Sequence, residues 1–240
     1  MCTVSFVRIE DTYVFTSNRD EHQSRPSAFL PIIERKNSVN LLFPKDGEAG
    51  GTWFASNEFG TVCVLLNGAF TNYTRKTGYK KSRGLIVLDI ISSRFPITAI
   101  DTMDLTNIAP FTLVLFHENE LYDMRWDGRG KHKKRLSKDI PHLWSSATLY
   151  NLEEKHSRQF ALQNLTQNND KVTPKGIFEL HKKDHNLGGF RIDRPTGHRT
   201  VSISQAFLDN NQIVMNYSDL TEEVNHSERL SLKKEKLQPL

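Results

Sequence analysis

Cysteine is nearly absent from this chain, with two among 240 residues, Cys2 and Cys63. Two are too few for a disulfide-stapled secreted scaffold, and they point to a reducing, cytoplasmic setting. No apolar run approaches the roughly 18 residues a membrane-crossing helix needs, so no transmembrane segment is expected. The opening residues, Met1-Cys2-Thr3-Val4-Ser5-Phe6-Val7-Arg8, lack the basic start, apolar stretch and small-residue cleavage site of a signal peptide. Neither G-x-G-x-x-G nor a P-loop occurs, which argues against a dinucleotide enzyme or a P-loop NTPase. The absence of Cys-x-x-Cys-His excludes covalent haem attachment. Neither sign of charge dominates: 32 basic against 28 acidic residues leave a net charge of +4, a weak bias toward anionic partners. The densest basic run, Lys131–Arg135, has no interleaved aromatics and no nucleic-acid module around it. It reads as a solvated loop, and no nucleic-acid partner is expected.

Bulky core material is plentiful, with 14 Phe, 6 Tyr and 3 Trp. No linker or internal repeat divides the chain. A single domain over residues 1–218 is expected, followed by a charged, loosely attached tail at 219–240. Alternating β-formers at 3–9 and 12–18 around Glu10-Asp11 predict a hairpin. Residues 24–50, with Pro26, Pro31 and Pro44, read as irregular apart from a short apolar run at 41–43. A second hairpin is predicted over 52–56 and 61–66, with Gly60 supplying a positive φ in its turn. Apolar spacing of three to four predicts a helix over 84–95, with Ser82 at its start, and a short one over 96–103. Strands follow at 111–117 and 121–126. Helices are expected at 152–165 and 174–183, the latter capped by Thr173 with Pro174 in the first turn. A last hairpin is expected over 201–208 and 212–217. Hairpins alternating with helix pairs suit packed antiparallel sheets covered by helices, an α+β fold.

The first hairpin has a chemical consequence. With Glu10-Asp11 as its loop, Cys2 faces Arg19, Thr3 faces Asn18, Ser5 faces Thr16, Phe6 faces Phe15 and Val7 faces Val14. Cys2, Asn18, Arg19 and Asp20 then gather at one end. Loss of Met1 would give Cys2 both a thiol and a free α-amine, and an α-amine titrates near 8, suited to a base. Arg19 beside the thiol would favour thiolate, and Asp20 would orient a cation. This is the arrangement in which one residue is both nucleophile and base. The same residues also fit an incidental Cys2 beside a surface Arg19–Asp20 ion pair, and spacing leaves both readings open.

Met1-Cys2, Asn18-Arg19-Asp20-Glu21, Ser24-Arg25-Pro26 and Gly50-Gly51-Thr52-Trp53 together resemble the NRDE family, also called the transport-and-Golgi-organisation family. Ser82-Arg83-Gly84-Leu85 resembles its next helix start. The resemblance is strongest over 1–67 and weak beyond about residue 95. It implies a four-layer αββα sandwich of antiparallel sheets, like the N-terminal-nucleophile hydrolases that include bile-salt hydrolases and penicillin V acylases. By the same resemblance Asn67, at the end of a strand before Gly68, takes the oxyanion-stabilising role; from the residues alone it is a strand terminator. One departure is Leu143-Trp144-Ser145-Ser146, where Ser146 stands at the place of a second Asn in those hydrolases. The Trp-Pro-Lys common after it is missing.

The resemblance implies a cysteine amidohydrolase acting on a non-peptide C–N amide of a small molecule, with Cys2, Asn18, Arg19, Asp20 and Asn67 as site residues and no cofactor. Eukaryotic members are linked to haem handling and lipid metabolism, which implies the alternative of a carrier binding haem or a lipid-like ligand without turnover. Composition and spacing leave the oligomeric state open. His181 and His185, four apart, have metal-ligand spacing, but Lys-Lys-Asp between them reads as an exposed, polar helix end. Cys63 reads as a buried core thiol, Trp53 as a core or pocket-lining aromatic, and Glu21 and Arg25 as braces of the turn after the second strand.

Overall fold

The computed structural model describes residues 2–74, 76–167, 172–209 and 211–233. Two antiparallel sheets pack face to face. The first, of six strands, has the order β10-β1-β2-β11-β12-β13, and the second, of seven, runs β3 to β9 in sequence order. The first sheet is built from β1 (Cys2–Ile9), β2 (Thr12–His22), β10 (His142–Ser145), β11 (His198–Asp209), β12 (Gln212–Asp219) and β13 (Val224–Ser231). The second holds β3 (Phe29–Lys36), β4 (Val39–Lys45), β5 (Phe54–Asn57), β6 (Val62–Asn67), β7 (Phe111–His117), β8 (Glu120–Trp126) and β9 (Lys131–Leu136). Helix α1 (Arg83–Ile91), with α2 (Pro96–Thr102) packed on it, covers the second sheet. Helices α3 (Leu152–Gln167) and α4 (Pro174–Lys182) cover the first. The αββα architecture expected from the sequence is therefore present.

β1 and β2 are buried on both faces, and their alternation sorts residues into two environments. Cys2, Val4, Phe6 and Phe15 belong to the inter-sheet core. Phe116 of β7 reaches across to Tyr13, Phe15 and Phe6, with ring centroids at 4.8, 5.7 and 6.5 Å. Val7 packs instead with Leu162, Ile177 and Phe190 under the helices. The first-hairpin register is the expected one, with Cys2 opposite Arg19 and Phe6 opposite Phe15. The second hairpin also forms, and Gly60 has φ +79°.

Four expectations are corrected. Residues 29–45 are not irregular but form the β3–β4 hairpin. Its two-residue turn, Asn37-Ser38, has both residues at positive φ (48° and 64°), the geometry that matches strand twist. Pro31 is tolerated because β3 is an edge strand with an irregular register between Phe29 and Ile32. The basic run Lys131–Arg135 is not a loop but most of β9, the other edge of that sheet, where lysines discourage further pairing. Within the expected tail, Val224–Ser231 pairs with all eight residues of β12; residues 234–240 lie outside the described residues. Helix α1 ends at Ile91, earlier than expected, and Pro96 opens α2. Among the described residues no helix is long and apolar enough to cross a membrane.

Candidate active site

The five expected site residues cluster at one end of β1, β2 and β6, and the four on the first sheet divide between its two faces. Cys2 and Arg19, a cross-strand pair, face the second sheet. Asn18 and Asp20, one residue out of phase, face the helices.

On the helix side, Asn18 and His181 form a closed unit. Asn18 Nδ2 donates to the His181 carbonyl at 3.0 Å, and the His181 ring bonds Asn18 Oδ1 at 2.6 Å and Ser5 Oγ at 2.7 Å. Nδ1 donates to the amide oxygen and Nε2 accepts from the hydroxyl, which is the neutral imidazole. Burial first, and then Arg158, lower the His181 pKa to about 3. His181 is thus not on the exposed helix end expected for it, and both ring nitrogens are engaged. Asp20 is fully buried; its carboxylate accepts from Thr200 Oγ1 at 2.7 Å and from the Tyr150 hydroxyl. Burial pushes its pKa up, against those two hydrogen bonds. The expected Arg19–Asp20 pair does not form.

On the other face a cavity of about 710 Å3 holds Cys2, Arg19, Glu21, Trp53, Leu65 and Asn67 among its walls. A second, of about 500 Å3, shares Glu21, Arg25, Glu48, Asn67 and Arg83 with it, so the two adjoin. Arg19 bonds Asp46 at 2.5 Å, and its guanidinium lies 4.5 Å from the centre of the Trp53 ring. Arg25 holds the other Asp46 oxygen at 2.8 Å and reaches Glu48 at 2.8 Å and Glu21 at 3.6 Å. Burial opposes ionisation of Asp46, but Arg25, the Ala49 N–H and Arg19 outweigh it and bring its pKa to about 2. Glu21 is also held below the usual carboxylate range: burial is overcome by the positive amino terminus, Arg25 and Arg19. Of the two neighbouring acids of β2, Glu21 and not Asp20 therefore lies on the cavity face. Strand alternation carries this signal, since Glu21 is two residues beyond Arg19, the partner of Cys2.

Burial pushes the Cys2 thiol up, with Asp20 and Glu21 adding to it and the positive amino terminus opposing. The expected lowering by Arg19 is not the outcome, because burial is the largest influence on the thiol; Arg19 itself pairs with Asp46. Cys63 is fully buried in β6 and pushed up to about 12 by burial. Ser146 ties the site's two strands together. Its N–H donates to the Cys2 carbonyl at 3.0 Å and its hydroxyl to the Asn67 carbonyl at 2.8 Å. This follows from β10, which pairs with β1 and which the sequence did not announce.

The Gly-Gly-Thr-Trp and Ser-Arg-Gly-Leu segments meet. A Cβ on Gly51 would lie 2.4 Å from the Gly84 carbonyl carbon, and the Thr52 N–H donates to the Gly84 carbonyl at 3.2 Å. This contact sets the start of α1 against the cavity.

Residues 1–219 match the family described as Transport and Golgi organisation 2. The chain belongs to that family. No curated protein matches it significantly. Among solved structures it is similar to a mutant conjugated bile acid hydrolase from Clostridium perfringens, at 12% identity and TM-score 0.55, with 98% of each chain covered. It is also similar to the Caenorhabditis elegans N-acylethanolamine-hydrolyzing acid amidase ortholog, at 11% identity and TM-score 0.60, covering 85% of this chain and 92% of that one. At these identities the likeness is one of fold, that of N-terminal-nucleophile hydrolases.

Proposed function

We propose that this protein is a cysteine amidohydrolase of the N-terminal-nucleophile type, cleaving a non-peptide amide of a small molecule, with Cys2 as nucleophile. The observation that carries the reading is the placement of Cys2 and Asn67 on opposite sheets but in the walls of one cavity. Loss of Met1 frees the Cys2 α-amine. That amine takes the thiol proton as Sγ attacks the amide carbon, and returns it to the departing amine. The Asn67 side chain donates to the oxyanion. Water then hydrolyses the thioester. Glu21 stabilises the ammonium formed when the Cys2 amine takes the proton, and Arg19, Arg25 and Asp46 brace Glu21's surroundings. Asn18 and Asp20 act from the far side of the sheet by fixing β2. No cofactor enters this scheme. A reducing, cytoplasmic setting suits its free thiol.

A second reading is favoured by the buried, raised Cys2 thiol and by Ser146 at the place of the hydrolases' second Asn. The same cavity would then carry haem or a lipid-like ligand without turnover. His181 is fully engaged, and His22 packs its Nε2 against Gly197. His198, in the adjoining cavity, is the histidine there to test as an axial ligand.

The test is intact mass and alkylation of protein from its native host, together with turnover of a panel of acyl amides. The mass should be lower by one methionine. Iodoacetamide should label Cys2 before Cys63, and Cys2→Ala should lose turnover by at least about a thousandfold. Retained Met1 removes the amine base and overturns the hydrolase reading. A Soret shift on adding haem that is lost in His198→Ala would then support the carrier.

A further inference from the structure

Behind Cys2, the face that the first sheet turns toward the second carries small hydroxyl residues. Cys2 pairs with Arg19 and Val4 with Ser17, so Ser17 shares the face of Cys2 and is its diagonal neighbour across β1 and β2. On β11, Ser204 lies opposite Ser17. Both serines are fully buried, and neither hydroxyl has a hydrogen-bond partner. A buried hydroxyl left unbonded is destabilising, so it calls for a partner that forms in another state of the protein. Ser17 lies beside a group that changes charge in the proposed reaction. Burial, the largest influence on the Cys2 thiol, raises its pKa, and the amino terminus lowers it; Asp20 and Glu21 raise it, and the Ser17 hydroxyl lowers it as a donor to the ionised sulfur. Arg19, the cross-strand partner of Cys2, is turned to Asp46 and Trp53 instead.

We infer that Ser17 is the hydrogen-bond donor that steadies the Cys2 sulfur when it ionises, so that the nucleophile is activated by this hydroxyl as well as by its own amine. The inference rests on the amidohydrolase reading for the role of the thiolate. In the resting thiol the Ser17 hydroxyl is unbonded. As the Cys2 amine takes the thiol proton, the sulfur becomes a strong acceptor. The hydroxyl then turns its O–H to the sulfur and keeps its own proton. When the sulfur–carbon bond forms, charge moves to the carbonyl oxygen and the contact weakens. It forms again when water has attacked the thioester and the thiolate leaves. The unbonded hydroxyl thus penalises the resting enzyme and its hydrogen bond favours the ionised one, and that difference speeds attack.

The experiment follows the rate of iodoacetamide labelling at Cys2 against pH, with peptide mass mapping to separate Cys2 from Cys63. It uses full-length wild type, Ser17→Ala, Ser17→Thr and Ser204→Ala. Ser17→Ala should move the labelling midpoint up by about one pH unit and slow labelling at pH 7 severalfold. Its thermal midpoint should stay level or rise, because the change removes an unbonded buried hydroxyl. Ser17→Thr keeps a hydroxyl and should keep the wild-type profile. Ser204→Ala removes an equally buried hydroxyl that β2 separates from β1, and it should keep that profile too. The charged groups that bear on the thiol are the amino terminus, Asp20, Glu21 and Arg19. Arg25, Asp46, Glu48, Lys76, Lys81 and Arg83 also line the cavity. None of these changes among the four proteins, so a difference in midpoint reports the hydroxyl. A Ser17→Ala profile equal to that of the wild type, a shift matched by Ser204→Ala, or a shift that a folded Ser17→Thr fails to restore would overturn the inference. Should the added methyl keep Ser17→Thr from folding, the contrast between the two alanine variants decides alone. Turnover of acyl amides by the wild type separates the two proposals. A shifted Ser17→Ala profile with no turnover of any amide would retain Ser17 as the donor to the sulfur and reject the hydrolase. Cys2-dependent turnover with an unshifted profile would retain the hydrolase and reject the role of Ser17.

Discussion

His181 shows what one residue can decide. It is buried without charge, and its ring joins α4 to Ser5 of β1 and Asn18 of β2. Its pKa falls from 6.5 to about 3 on folding, so the unfolded chain binds the extra proton first. Stability from this group is therefore present above pH 6.5 and is lost as pH falls from there toward 3. The raised Asp20 pKa contributes with the opposite sign. The His181 share is the difference between wild type and His181→Gln in denaturant midpoints measured against pH. The wild type should lose stability more steeply on acidification, by a few kcal/mol in total. Parallel curves would mean that His181 is not held neutral. The spacing of His181 and His185 was legible, but the burial of His181 was not, because nothing local announces which helix face docks on a sheet.

At the scale of elements, the meeting of two glycines fixes the cavity wall. Gly51 precedes β5 and Gly84 lies in the first turn of α1; Gly84 occupies the space a Gly51 Cβ would need, and the Thr52 backbone the space a Gly84 Cβ would need. Gly51→Ala places a methyl 2.4 Å from backbone, which no rotamer relieves. The expected cost is about 3 kcal/mol or more, read from urea unfolding, with ligand binding weakened as α1 is displaced. Gly50→Ala is the control. Gly50 has φ +65° but nothing within 4 Å of its Cβ, so the cost should be about 1 kcal/mol of strain only. Equal losses at the two positions would count against close packing as the cause. The hairpins were readable wherever short-range chemistry sets the turn, as at Glu10-Asp11 and Gly60. The Asn37-Ser38 turn carries no such signal, and Pro31 and Pro44 around it mask the short apolar run. β10 was not readable, since His142–Ser145 is a four-residue strand defined only by its pairing with β1.

The whole molecule closes with β13, which lies past the 219 residues of the family match. It pairs along β12 and carries Leu230 into the inter-sheet core. Just beyond it, Lys233 bonds the buried Glu58 at 2.7 Å, joining the first sheet to the turn of the second. Ending the chain at Glu223 should expose the β12 edge, lower the thermal midpoint by several degrees and promote aggregation. An unchanged midpoint in calorimetry would show that β13 adds nothing to the sandwich.

The amino-acid sequence accounts for the features that are local and periodic. It set the first-hairpin register, the capped start of α4, the α+β class, and the pairing of Cys2 with Arg19. These depend on neighbours in the chain and on alternation, which a single strand displays. The tertiary structure alone decided which face each residue serves. Sheet stacking sends Cys2, Arg19 and Glu21 into the cavity and turns Asn18 and Asp20 to the helices, where Tyr150 and Thr200 meet Asp20 from 130 and 180 residues away. It also brought Asn67 to Cys2 and Gly51 to Gly84, contacts between segments that no local pattern joins. Side-chain period tells which residues share a face, but only packing of distant elements tells what that face meets.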